Sequence, residues 1–202
     1  IDSASRAFED GRWAGLEGRE RARILNRVAE LLRARIPDMA AMETLQTGRC
    51  LREYLAQLGR VPDWFEYHAA LAQTAEGNFP PFSDPDHLCY VRRVPLGVCG
   101  LITSWNHPIL IACKKISVAL AAGNTVVVKP PGPAPCSILA LGSILKEAGV
   151  PDGVVNIVPT PFADEEAGKV LTSDPRVVKL DLTGGTSTGY KLGMYYFCPN
   201  YY

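Results

Sequence analysis

The stretch "VCGLITSWNHPILIACKKISVALAAGNTVVVKP", residues 98–130, decides how the rest of the chain is read. Two short apolar runs rich in β-branched residues, VCGLI and TVVV, enclose a segment that Pro108 suits for the first turn of a helix reaching to about residue 122. The alternation then continues: a helix at about 135–148, a strand VVNIV, a helix at about 164–172 and a strand VVKLDL. Short apolar strands alternating with helices predict a parallel sheet covered on both faces. The expected fold class is therefore α/β, a Rossmann-like parallel sheet flanked by helices.

Upstream, "ERARILNRVAELLRAR" at 20–35 places Ile24, Leu25, Val28, Leu31 and Leu32 on one stripe with arginines opposite, predicting an amphipathic helix on a core. Pro37 is expected to break it and open a second helix at about 37–47, which Gly48 closes. A third helix is expected over about 49–75. Residues 76–97, "EGNFPPFSDPDHLCYVRRVPLG", are dense in Pro, Asp and Gly and read as turns flanking a short hairpin. The expected organisation is an N-terminal helical layer over 1–75, a hairpin linker over 76–97, an incomplete Rossmann-like cofactor-binding domain over 98–193 and a divergent aromatic tail over 194–202.

Composition narrows the function classes. The chain has 202 residues, 47% hydrophobic and 21% charged, enough for one substantial core. Basic and acidic residues both number 21, so the formal net charge is zero, with no nucleic-acid or anionic-membrane footprint. The longest apolar runs, 109–113 and 116–123, are separated by Lys114 and Lys115 and fall short of a membrane span. Six cysteines form no CxxC pair, and His68, His87 and His107 are dispersed, so no metal site is expected. Reduced thiols in the cytoplasm are the plainer reading. The first residue is Ile rather than Met, which leaves room for a removed leader.

In an open parallel sheet, ligands bind beyond the carboxyl ends of the strands. Three such loops stand out. In "TSWNHP", Asn106 can donate its side-chain amide to a developing oxyanion, although position alone favours a helix cap. In "KPPGPAP", Lys129 ends a strand where it can meet a ribose or phosphate, or simply stand in solvent. The glycines of "TGGTSTG" at 183–189 permit close backbone approach to a phosphate, but the pattern is not GxGxxG.

The ordered series "PLGVCGLITSWNHPI", "KK", "ALAAGNTVVVKP", "EAGVPDGVVNIV" and "LTGGTSTG" resembles the cofactor-binding half of an aldehyde dehydrogenase, and "GRW", "ERARIL", "METLQTG" and "RCLRE" resemble that family's N-terminal helices. The resemblance reaches about Lys191. In that family a cysteine thiolate attacks the aldehyde, hydride passes to NAD or NADP, and a glutamate-activated water hydrolyses the thioester. The resemblance implies that Asn106 is the oxyanion-binding asparagine, that Lys115 is the helix lysine near it, and that Thr103, Ser104, Trp105, Lys129, Gly184 and Gly185 belong to the dinucleotide site. The family's general base, catalytic cysteine and oligomerisation segment lie beyond TGGTSTG.

Several positions depart from the pattern. Gly132 stands where a ribose-binding glutamate is usual, Gly185 where a serine contacts phosphate, and Leu182 where an aromatic precedes the turn. Thr160 and Phe162 stand near usual glycines, with two extra residues before Ala167 and Gly168. The expected cofactor is NAD or NADP, or none where the altered loops fail. Cys198, in "YYFCPNY", has no basic neighbour and reads as packing, as do Cys113 and Cys136 within helices. His107 stands where the family usually has an aromatic and is the preferred acid-base candidate. Asp181 shares a strand face with Lys179, which reads as an exposed ion pair between them or, as the sharper alternative, as a carboxylate beside an open pocket. The last strand should present an unpaired edge, which Met194 to Tyr202 covers or through which copies assemble. Three functions fit: an aldehyde oxidoreductase of which this is a fragment; a non-redox isomerase, cyclase or lyase reusing the pocket; and a non-catalytic protein that binds a small molecule or a partner.

Overall fold

The computed structural model describes residues 1–84, 86–161 and 166–197, the last three of these through the backbone alone. Helices α1 (Asp2–Glu9), α2 (Gly18–Thr47), α3 (Leu51–Leu58) and α4 (Val61–Gln73) come first. The alternating part follows: β1 (Val98–Ile102), α5 (Pro108–Ala121), β2 (Thr125–Lys129), α6 (Cys136–Glu147), β3 (Val155–Ile157), α7 (Glu166–Ser173), β4 (Val177–Leu182) and α8 (Thr186–Phe197). The fold is α/β, as the alternation implies. Among the described residues four strands form a parallel sheet in the order β3-β2-β1-β4.

Both faces of β1 and β2 are buried, which is why these two strands read as continuous apolar runs. Cys99, Leu101, Val126 and Val128 pack with Ile109, Ile116 and Leu120 of α5, with α6, and with α2 stacked beyond them. Val98, Ile102 and Val127 meet Ala4, Leu171, Val177 and Leu192 on the opposite face. Fully burying an Ile or Leu stabilises by roughly 1.5–3 kcal/mol each, so the α2–α5–α6 side dominates. Gly100 lies where β1 and β4 crowd: a Cβ there would come within 2.9 Å of Leu180 Cδ1 and 3.3 Å of Val177 Cγ1.

The N-terminal layer is fastened at the far end of α5, whose last carbonyls have no helical partner. Buried Trp13 donates its indole N–H to the Leu120 carbonyl at 2.9 Å, and Arg21 Nε donates to that of Ala121 at 3.3 Å. Asn124 accepts from the amides of Leu96 and Gly97 at 2.7 and 3.1 Å, tying the linker to the start of β1. Among the described residues of the linker there is one antiparallel bridge, Asn78 to Val91, with Phe79, Phe82, Leu88 and Tyr90 exposed.

Four local expectations change. Helix α2 passes through Pro37 without a break. Pro37 lies on the solvent side, so the carbonyl it cannot bond remains open to water, while Leu32, Met39 and Ala40 hold the helix to the core on either side. The helix ends at Gly48, whose φ of 75° lets its amide return to Thr44. The single helix expected over 49–75 is split at Gly59 and Arg60, because Pro62 in the first turn of α4 has no amide to continue α3. Cys136 is exposed rather than in the core, since it is the first residue of α6 as the chain leaves the proline loop. Asp181 pairs with Lys115 of α5, not with Lys179, because the face of β4 that carries it looks toward that helix.

Among the described strands β4 is terminal, with Val178 exposed. The aromatic cover expected from Met194 to Tyr202 lies mostly outside the described residues, as does Cys198; α8 runs to Phe197 and contributes Leu192 to the core. Phe162 and the residues to 165 are also outside them. No helix among the described residues is long and apolar enough to cross a membrane.

Candidate dinucleotide and oxyanion site

Strands β2 and β3 lie successively to one side of β1, whereas β4 lies on the other. The order therefore reverses between β1 and β4, and the chains leaving these two strands diverge to opposite faces, into α5 and α8. Such a switch point opens a crevice at the carboxyl ends of the strands. A cleft of about 430 Å³ lies there. Ile102 to Asn106 form one wall, Leu182 to Gly185 with Thr188 the other, and Pro131 and Pro133 close one side.

The two walls are held by their strands. The Thr103 amide donates to the Lys129 carbonyl at 3.2 Å, and the Thr183 amide to the Ile102 carbonyl at 3.0 Å. Beyond Thr103, the Ser104 hydroxyl donates to Asn106 Oδ1 at 2.8 Å. With its oxygen so engaged, the Asn106 amide has both N–H bonds to offer. Asn106 does not cap α5; that position falls to His107, with no side-chain cap bond. From behind, the buried phenol of Tyr54 donates to the Asn106 carbonyl at 3.2 Å. Trp105 projects into solvent at the cleft wall.

The opposite wall is open. A Cβ added at Gly185 would meet nothing within 4 Å, and one at Gly184 would meet only Leu182, at 3.3 Å. Helix α8 starts at Thr186, so its first-turn amides, which have no partner within the helix, follow directly on this turn, and Thr188 lines the cleft. A glycine turn leading into a helix N-terminus suits an anionic phosphate group.

Six of the residues singled out from the sequence thus share one cleft: Thr103, Ser104, Trp105, Asn106, Gly184 and Gly185. Lys129, His107 and Lys115 are not among its lining residues. Lys129 ends β2 half-buried beside Thr103. His107 has its Nδ1 buried without a hydrogen-bond partner. Burial, and then the positive charge of Arg49, lower its pKa, with Glu53 partly opposing, so the imidazole is neutral at neutral pH. Lys115 is almost wholly buried in an ion pair with the half-exposed Asp181. Burial lowers its pKa, with Asp181 acting against the shift. Burial also pushes the Cys99 thiol up to about 11 and that of Cys113 higher still, so both remain protonated thiols at neutral pH.

Sequence reasoning did not single out Tyr54, Thr188 or Pro133. Thr188 lies within the quoted turn and Pro133 within the quoted proline loop, so spacing could have suggested both. Tyr54 carries no local signal, because its link to Asn106 spans 52 positions. Glu43 was also missed. It is 0% exposed on α2, and the Ser137 hydroxyl donates to its Oε1 while Oε2 has no partner. Burial raises its pKa to about 7, against the opposing pull of Ser137 and of the Ile109 amide in the first turn of α5.

A parallel sheet with helices on both sides and a crevice at its switch point defines a Rossmann-like α/β protein. Residues 1–195 match the aldehyde dehydrogenase family, and the chain belongs to it. It is 41% identical over 192 residues to the betaine aldehyde dehydrogenase of Bacillus subtilis, covering 95% of this chain and 39% of that protein. It is 39% identical over 188 residues to the (Z)-2-((N-methylformamido)methylene)-5-hydroxybutyrolactone dehydrogenase of Acinetobacter baylyi, covering 93% and 38%. Among solved structures, an NAD-dependent aldehyde dehydrogenase from Sinorhizobium meliloti superposes with a TM-score of 0.93 at 35% identity, covering 98% of this chain and 39% of the other. An NADP-dependent enzyme of E. coli gives 0.92 at 35% identity, covering 97% and 40%. The chain thus spans about two-fifths of the length of these relatives.

Proposed function

We propose that this chain is the dinucleotide-binding and oxyanion-stabilising part of an NAD- or NADP-linked aldehyde oxidoreductase. The observation that carries this reading is the shared cleft, in which Asn106 faces the open turn at Gly184 and Gly185 across one switch point. The residues fit a nicotinamide dinucleotide. Gly185 leaves room beside the turn, the first-turn amides of α8 suit its phosphates, and Trp105 with Pro131 and Pro133 offers apolar walls for its rings. When bound, that group supplies the hydride acceptor. Asn106 contributes an amide N–H toward an aldehyde oxygen as negative charge develops on it, a contact stronger in the transition state than in the ground state.

The described lining consists of hydroxyls, an amide, an indole, prolines, aliphatic groups and backbone amides, none of which ionises near neutral pH. The cleft therefore binds and polarises, and the nucleophile and general base of the family's reaction come from outside it. The same lining weighs against an isomerase, cyclase or lyase that uses His107, and keeps a purely ligand-binding role as the second reading. Assembly of copies through the β4 edge belongs to the same proposal; a monomer by light scattering at high concentration would remove it. Calorimetry of the 202-residue chain with NAD and NADP tests the central reading. Saturable micromolar binding of one of them is expected, and no binding of either would overturn it.

A further inference from the structure

Asn106 is gripped at both ends. Its side-chain oxygen accepts from Ser104 Oγ at 2.8 Å, and its main-chain oxygen accepts from the phenol of Tyr54 at 3.2 Å. The two donors differ in setting. Ser104 lies at the cleft wall, whereas Tyr54 is 0% exposed and reaches the loop from α3 in the N-terminal layer. The Tyr54 ring is itself held: Thr47 Oγ1 at the end of α2 stands 2.8 Å from its hydroxyl, and the Arg49 guanidinium lies over its face at 5.9 Å.

We propose that Ser104 and Tyr54 are positioning residues that preorganise Asn106, Ser104 by fixing which side of its amide faces the cleft and Tyr54 by fixing the peptide from which the side chain projects. A primary amide can turn about its χ2 bond and present either oxygen or nitrogen to a ligand. Only the nitrogen end helps an oxyanion. The Ser104 hydroxyl, donating to Oδ1, selects the orientation in which both N–H bonds remain available. Tyr54 acts on the backbone instead, since its acceptor is the carbonyl of Asn106 in the peptide shared with His107. A donor already oriented requires no reorganisation when charge develops. The N-terminal layer thereby takes part in the site, through one buried phenol that packing cannot replace. This inference rests on Asn106 being the oxyanion donor of the proposed function.

The test reads Asn106 directly and needs no cofactor, so its failure is distinct from a failure to bind NAD or NADP. On the 15N-labelled 202-residue chain, the Asn106 side-chain amide is assigned by its loss in Asn106→Ala. It is expected to be rigid, with an order parameter approaching the ~0.85 of rigid backbone amides. Ser104→Ala should drop that value below about 0.6, into the flexible range, and Ser104→Thr, which keeps the hydroxyl, should restore it. Tyr54→Phe keeps the ring packing and should displace the His107 backbone amide resonance while lowering the Asn106 order parameter. A flexible Asn106 side chain in the unaltered protein would overturn the proposal without any variant. So would an unchanged order parameter in Ser104→Ala, or an unmoved His107 amide in Tyr54→Phe.

Discussion

The two loops that face each other across the switch point are built on opposite lines. The loop after β1 is held by side chains: Ser104 binds Asn106 from within the loop, and Tyr54 binds it from another layer. The loop after β4 is defined by what its residues lack, because Gly184 and Gly185 carry no side chains and a Cβ at Gly185 would stand in open space. A group that must point at a developing charge needs orientation, whereas a turn that receives a phosphate needs room and free amides. Each loop also has a buried ionisable residue behind it, Glu43 near the first turn of α5 and Lys115, paired with the half-exposed Asp181 at the end of β4.

Changes at these supports and at the loops themselves can break or sharpen the contrast. The largest effect is expected at Glu43. Its folded pKa, about 7, lies above the usual carboxylate value of 4.5. The folded state therefore binds the proton more tightly, and the stabilisation is fully present below about pH 4.5 and is lost as pH rises through about 7. Glu43→Gln cannot ionise and should flatten this dependence, changing the stability difference from the unaltered chain by roughly 3 kcal/mol between the two ends. Urea denaturation at pH 4 and pH 8 measures it, and parallel pH profiles would remove Glu43 as the titrating support.

Next comes the pair behind the open loop. Asp181→Asn leaves Lys115 buried with a neutral partner and should cost about 2 kcal/mol, less than a fully buried pair because Asp181 is half-exposed. Urea denaturation reads this, and a change below about 0.5 kcal/mol would show that solvent screening dominates. A smaller effect is expected from Gly185→Leu. The backbone there lies outside the left-handed region, so thermal stability should hold. The side chain would fill the turn, and affinity for NAD or NADP should fall about tenfold, or 1.4 kcal/mol; unchanged affinity would place the phosphates elsewhere. The smallest effect is at His107, whose NMR titration midpoint should lie below that of an ordinary imidazole because burial and Arg49 oppose its protonation. A midpoint above the ordinary value would reverse that assignment and restore His107 as a proton carrier.

How much of this was legible in the sequence differs between the same two loops. TGGTSTG could be read as a phosphate turn because glycine's contribution is local, and its place after VVKLDL put it at a strand end. TSWNHP was legible as a loop but ambiguous in role, since a helix cap and an oxyanion donor use the same asparagine. Ser104→Asn106 is a contact between near neighbours and could have been suspected from the Ser-x-Asn spacing. Tyr54 could not, because nothing near Tyr54 in the chain refers to residue 106. Pro37 shows the converse: the local rule predicted a break, and burial on either side of the proline outweighed it.

The sequence alone determined the strand–helix alternation, the parallel sheet it implies and the identity of the loops at its carboxyl edge, because periodicity, glycine and proline act over a few residues. Only the tertiary structure decided that β4 lies beside β1, that Asp181 serves Lys115 rather than Lys179, and that a tyrosine of the N-terminal layer holds the Asn106 carbonyl. Those contacts join positions from 52 to about 80 apart along the chain. They arise from how buried faces stack, a free energy summed over the whole core rather than carried by any short segment.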